Sequence, residues 1–96
     1  MNRYGKRDLK IRIWEKTAGK CARCGKETQE VRRTIDHYIP RSQGGSFDER
    51  NLIPLCKPCN KQKAYRLVDI TEYYRFLPKE YAAQALEYEA EWKKSE

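Results

Sequence analysis

Four cysteines in the 96-residue chain share one spacing, Cys21-Ala22-Arg23-Cys24 and Cys56-Lys57-Pro58-Cys59. Two such knuckles can deliver four soft thiolates to one tetrahedral ion, the donor set that zinc prefers. Two disulfides would use the same residues, as would a thioredoxin-type redox pair. Disulfides belong to chains led into an oxidising compartment, and Met1 to Lys16 holds no apolar signal core. A redox pair needs one such motif and a different fold around it. The spacing therefore predicts a structural Zn²⁺ on Cys21, Cys24, Cys56 and Cys59. The 31 residues between the two pairs must fold as a unit whose ends the ion clamps. Within them lies the dipeptide Asp36-His37, which contains the only histidine of the chain. It pairs a hard carboxylate oxygen with an imidazole that titrates near ~6.5. Taken alone, the pair fits a structural hydrogen bond as readily as chemistry.

The elements that hold these groups follow from local pattern. Val31 to Ile35 is β-rich and partly alternating, which predicts a strand running into Asp36-His37-Tyr38-Ile39-Pro40. Gly44-Gly45 marks a loop, Asp48 to Asn51 suits one helical turn, and Leu52 to Leu55 suits a short return strand. Pro54 restricts that strand to an edge or irregular position. Pro58 fits the first turn of a helix, which would carry Cys59, Asn60, Lys61, Lys63 and Tyr65. At the N-terminal end, Leu9, Ile13 and Trp14 predict a helix over residues 7–17 ended by Ala18-Gly19, able to lay Lys6, Arg7, Lys10 and Arg12 on a polyanion, although the alternation Leu9, Ile11, Ile13 also fits a strand. At the other end, Asp69-Ile70-Thr71-Glu72 reads as a capping box. A last helix from Pro78 would pack a stripe of Leu77, Tyr81, Ala85, Tyr88 and Trp92 on the core, or present it to a second copy.

Charge divides the chain unevenly. Residues 1–66 hold 17 Lys and Arg against seven Asp and Glu, and residues 67–96 hold four against seven. The basic part should attract a polyanion, and nucleic acid is the obvious one. The acidic part should lie away from phosphate. No run of ~20 apolar residues could span a bilayer. The expectation is one domain over residues 1–96 in the cytoplasm of a bacterial or phage-infected cell.

Ile35-Asp36-His37-Tyr38-Ile39-Pro40, Gly44-Gly45, Asn51-Leu52 and Leu55-Cys56-Lys57-Pro58-Cys59-Asn60-Lys61 together resemble the HNH endonuclease family, in the subset with two CxxC pairs. The resemblance covers about residues 18–66. It implies an α+β fold: a small zinc-stabilised ββα-metal core, here with flanking N-terminal and C-terminal helices. It implies metal-dependent hydrolysis of DNA phosphodiester bonds, with His37 as general base and Mg²⁺ or Mn²⁺ on Asp36 and Asn60. Asn51 would hold the loop to the strand bearing the histidine, with direct metal contact also open to it. Asn60 stands where the family often has histidine. Without the resemblance, Asn60 reads as a first-turn residue bonding to local backbone. Arg32, Arg33, Arg41, Lys57, Lys61, Lys63 and Arg66 are the candidate phosphate contacts. The implied partner is DNA, taken as double-stranded, and the protein would be a monomer or a homodimer through its last helix. The alternative is a catalytically inactive zinc module that binds nucleic acid.

Overall fold

The computed structural model describes the backbone of residues 3–94 and the side chains from Asp8 onward. Helix α1 spans Arg3–Glu15, strand β1 Arg33–His37, strand β2 Leu52–Cys56, and helices α2, α3 and α4 Lys57–Lys63, Ile70–Tyr73 and Lys79–Lys94. Short 3₁₀ turns occupy Glu30–Arg32, Arg41–Gln43 and Glu49–Asn51. The protein is α+β, as expected, with both flanking helices in place. No helix among the described residues is long and apolar enough to cross a membrane.

The N-terminal segment is helix rather than strand. The helix starts earlier and ends earlier than the 7–17 expected, and Ile13 and Trp14 are buried beneath it. Both strands are tied to this end of the helix. Trp14 Nε1 donates to Thr34 O on β1 at 2.8 Å, and Lys16 Nζ donates to Leu52 O at the start of β2 at 3.0 Å. The Lys6 and Arg7 side chains lie outside the described residues. Arg12 makes an ion pair with Glu49 at 2.8 Å and Lys10 lines a groove beside α1.

β1 and β2 pair antiparallel from Arg33↔Cys56 to His37↔Leu52. The first strand therefore lies two residues later than Val31–Ile35. Val31 falls in the preceding 3₁₀ turn and is 76% exposed, so its β-branched side chain earns no burial. β2 is buried along its whole length. Pro54 is tolerated there because a two-stranded sheet leaves one edge of each strand without a ladder, and its carbonyl is taken by Ala22 N–H. Pro58 lies in the first turn of α2. Tyr65 falls outside that helix, because Ala64 turns the chain away with φ 51 and ψ −128.

Asp69 caps α3 by accepting from Thr71 N–H at 2.8 Å. The reciprocal half of the expected box is missing, since Glu72 is drawn to Arg23 at 2.8 Å. Leu77, just before α4, and Ala85 and Tyr88 on it enter a cluster with Tyr38, Ile39, Ile53, Leu55, Tyr73 and Tyr74, and Tyr81 and Trp92 pack against it. The apolar stripe therefore covers the chain's own core. Its acidic neighbours Glu87 and Glu91 are both bound by Arg50, which itself holds Asp48.

Candidate metal centre and catalytic cleft

The first knuckle is a tight turn closed by Cys21 N→Lys26 O and Gly25 N→Cys21 O. Gly25 has φ +75, which only glycine adopts without strain. The second knuckle is the end of β2 and the first turn of α2, where Cys56 is the N-cap and Cys59, three residues on, shares its side of the helix start. The sheet register brings the two together. All four Sγ atoms lie within 4.8 Å of one another, and Cys24 Sγ and Cys56 Sγ are 3.9 Å apart. Zn–S bonds of ~2.3 Å in a tetrahedron place sulfurs about 3.8 Å apart, so the cage has the dimensions that zinc requires. Arg23 NH1 approaches Cys59 Sγ at 3.6 Å, where it offsets the negative charge that four thiolates carry around a divalent ion.

Asp36 and Thr34 share one face of β1, two residues apart, and α2 packs across that face. Thr34 Oγ1 donates to Leu55 O at 2.6 Å and accepts from Asn60 Nδ2 at 2.7 Å, which fixes the Asn60 side chain against the strand. Asp36 Oδ1 accepts the His37 backbone N–H at 2.8 Å. Its Oδ2 is buried without a hydrogen bond, 3.7 Å from Lys63 Nζ. His37 Nε2 is likewise buried without a partner, and its ring meets the Phe47 ring edge-on at 4.7 Å. Asp36, His37 and Asn60 line one cleft of about 420 Å³ together with Pro40, Arg41, Ser42, Lys61, Ala64 and Tyr65. A larger groove of about 710 Å³ runs beside α1 past Trp14, Gly19 and Arg33, but none of these candidate ligands reaches it. The donor chemistry, not the volume, therefore locates the site.

Burial sets the charge states in the cleft. It raises the Asp36 carboxyl above its ordinary range, opposed by the nearby Lys63 ammonium. It lowers the His37 imidazole, and the positive Arg41 and Lys63 lower it further. Neutral imidazole is thus the favoured form at neutral pH.

Asn51 is not part of the cleft lining. It is fully buried, and its amide is spent on the protein: Oδ1 accepts Ile39 N–H at 2.7 Å, and Nδ2 donates to Ile39 O and Ser46 O. Both ends of its amide are thus engaged by backbone groups, which ties the loop to the end of β1. It holds the loop that turns at Gly45, where a Cβ would fall on the Ile39 carbonyl oxygen.

The basic candidates separate into groups. Arg41 and Lys61 are exposed and line the cleft. Arg32, Lys57 and Arg66 are exposed outside it. Arg33 is turned inward, with Nε on Thr28 O and its guanidinium over the Trp14 ring. Lys63 contradicts its assignment as a phosphate contact, because it is fully buried and faces Asp36. Its place four residues after buried Cys59 on α2 was the available signal, since i and i+4 share a helix face. Phe47, against the His37 ring, carried no signal of spacing or type.

A two-stranded antiparallel sheet followed directly by a helix, with a four-cysteine metal cage at the junction, defines a small ββα protein of the metal-stapled kind. Residues 21–66, just under half of the chain, match the family model described as HNH endonuclease. No curated protein matches the chain significantly.

Proposed function

We propose that the protein is a metal-dependent endonuclease that hydrolyses DNA phosphodiester bonds, with zinc as the ion of the four-cysteine cage. The observation that carries this reading is the convergence of Asp36, His37 and Asn60 on one cleft, where Asp36 Oδ2 and His37 Nε2 are both buried without a hydrogen bond and the carboxylate oxygen lies 3.7 Å from the Lys63 ammonium. A pure binding module has no use for that set.

Asp36 Oδ2 and the Asn60 amide oxygen are the donors for a divalent cation, and an all-oxygen set suits Mg²⁺ or Mn²⁺. Such an ion, when bound, supplies positive charge to the phosphate and to the departing oxygen. His37 acts as the general base and takes the proton of the attacking water. Its burial keeps the ring neutral and ready to accept. Asp36 Oδ1 on the His37 amide fixes the dipeptide, Asn60 is held by Thr34, and Asn51 holds the loop after the strand. Arg41 and Lys61 at the cleft attract the phosphate backbone.

Plasmid nicking with Mg²⁺ or Mn²⁺ tests the assignment. His37→Ala should slow cutting by about 10²–10⁴-fold while DNA binding is kept. The wild-type rate should rise with pH through a midpoint below the usual imidazole value of ~6.5 and then level off, because the lowered pKa yields the neutral base earlier. Equal cutting by both proteins would refute the assignment and leave a nucleic-acid-binding module.

A further inference from the structure

One exposed aromatic ring in the cleft, and a second beside it, are not required by phosphodiester hydrolysis. Tyr65 lines the cleft and is 78% exposed. Phe47 is 50% exposed and abuts two lining residues, His37 by its ring and Arg41 by a guanidinium 4.8 Å from the ring centroid. Neither ring joins the hydrophobic core. The backbone places Tyr65 at some cost, because the preceding Ala64 holds a positive φ of 51, which side chains with a Cβ rarely adopt. Gln43 Nε2 then donates to Tyr65 O at 3.2 Å and ties this segment to the loop carrying Arg41 and Ser42. The ring is thereby anchored by its backbone and left open at its face.

Exposed aromatics beside cations match the chemistry of an unpaired nucleotide. A duplex keeps its base faces stacked inside and offers a surface ring only sugar and phosphate. An unpaired strand offers a base face that stacks on Tyr or Phe, while Arg and Lys meet its phosphates. The Arg41 guanidinium over the Phe47 ring adds to the platform, since guanidinium also stacks on aromatic faces. Arg41 and Lys61 provide the charge complement in the same cleft. We propose that the site takes nucleic acid whose bases are unstacked next to the scissile phosphate (a single strand, a bubble or a frayed end) and that Tyr65, with Phe47, is the stacking platform that selects it. This rests on the nuclease reading for its cleavage consequence but not for its binding.

The test uses the full chain with no added divalent cation and oligonucleotides carrying 2-aminopurine, whose fluorescence falls on stacking. Single-stranded and bubble DNA should bind with quenching. Tyr65→Ala should weaken their binding about tenfold and abolish part of the quench, with duplex binding unchanged. Tyr65→Phe, which keeps the ring, should restore both. Because the Tyr65 side chain is exposed and only its carbonyl is bonded, Tyr65→Ala keeps the fold. Single-stranded RNA in parallel tells whether the sugar matters. Quenching with either sugar supports the platform. Duplex bound as tightly as single strand, with Tyr65→Ala equal to wild type on both, overturns it. Adding Mn²⁺ afterwards separates the two readings: quenching without cutting keeps the platform and removes the nuclease. Cutting of single-stranded and duplex DNA alike that ignores Tyr65 keeps the nuclease and removes the platform.

Discussion

Lys63 is the residue whose sequence reading and structural position differ most. A lysine beside the last metal-binding motif of a basic segment reads as a phosphate contact, yet it is fully buried with Nζ 3.7 Å from Asp36 Oδ2. Nothing in composition separates it from exposed Lys61; only the helix phase does, because Lys63 follows buried Cys59 by one turn. A buried ammonium needs a counter-charge, and Asp36 supplies it. Removing one partner leaves the other charged and poorly solvated. Lys63→Met preserves the length of the side chain and removes the charge. It should lower the urea unfolding free energy by about 2–3 kcal/mol, below the 3–5 of a fully buried pair, because the Asp36 side chain is 16% exposed. Lys63→Met with Asp36→Asn should recover much of that loss, since no charge is then stranded. A double variant as unstable as the sum of the singles would show that the two groups do not interact.

The elements divide by how local their causes are. Pro58 at the start of α2 and the 3₁₀ turn at Glu49–Asn51 are set by residues within a few positions, and both were legible. The cysteine cage and the Asp36–His37 dipeptide were legible because their residue types are scarce in the chain. The start of β1 was not, because the ladder register, and not β-propensity, decides that Val31 stays out. The half-formed capping box was lost to a partner 49 residues away, Arg23 on Glu72. Long-range choice also explains what α4 does. Its Tyr88 OH accepts Ser46 N–H at 2.8 Å and meets Ser46 Oγ at 2.9 Å, while Trp92 Nε1 donates to Gln43 O at 2.8 Å. The last helix thus braces the loop that runs from the cleft residues Arg41 and Ser42 to Asn51, although it lies outside the family match at residues 21–66. Tyr88→Phe removes the hydroxyl and keeps the packing. It should cost about 1–2 kcal/mol of stability and raise hydrogen exchange of the Ser46 amide, read by NMR, with the amides of the cysteine knuckles unaffected. Exchange at Ser46 that stays at the wild-type rate would mean the loop does not depend on α4 for its shape.

At the scale of the molecule, two unlike contributions hold the same fold. One is a hydrophobic cluster joining β2 to α3 and α4 through Ile53, Leu55, Tyr73, Tyr74, Leu77, Ala85 and Tyr88. The other is the cysteine cage, which joins the knuckle after α1 to the start of α2. A chain of 96 residues with a charged fraction of 36% has little apolar surface to bury, and domains of that size are marginal without a staple. Structural zinc contributes on the order of 10 kcal/mol in small peptides, comparable with the whole stability of an ordinary domain. Without an ion, Cys21, Cys56 and Cys59 are three buried thiols beside a guanidinium. Stripping the ion with a strong chelator should therefore unfold the sheet and α2 together with the tyrosine cluster packed on them. Far-ultraviolet circular dichroism and tyrosine fluorescence should change in one transition, and adding zinc back should restore both. A melting curve unchanged after metal analysis has verified removal would show that the apolar cluster suffices alone. Loss of the knuckles with the cluster retained would show that the two contributions stabilise separate halves, leaving α4 and its loop folded beside a disordered metal site.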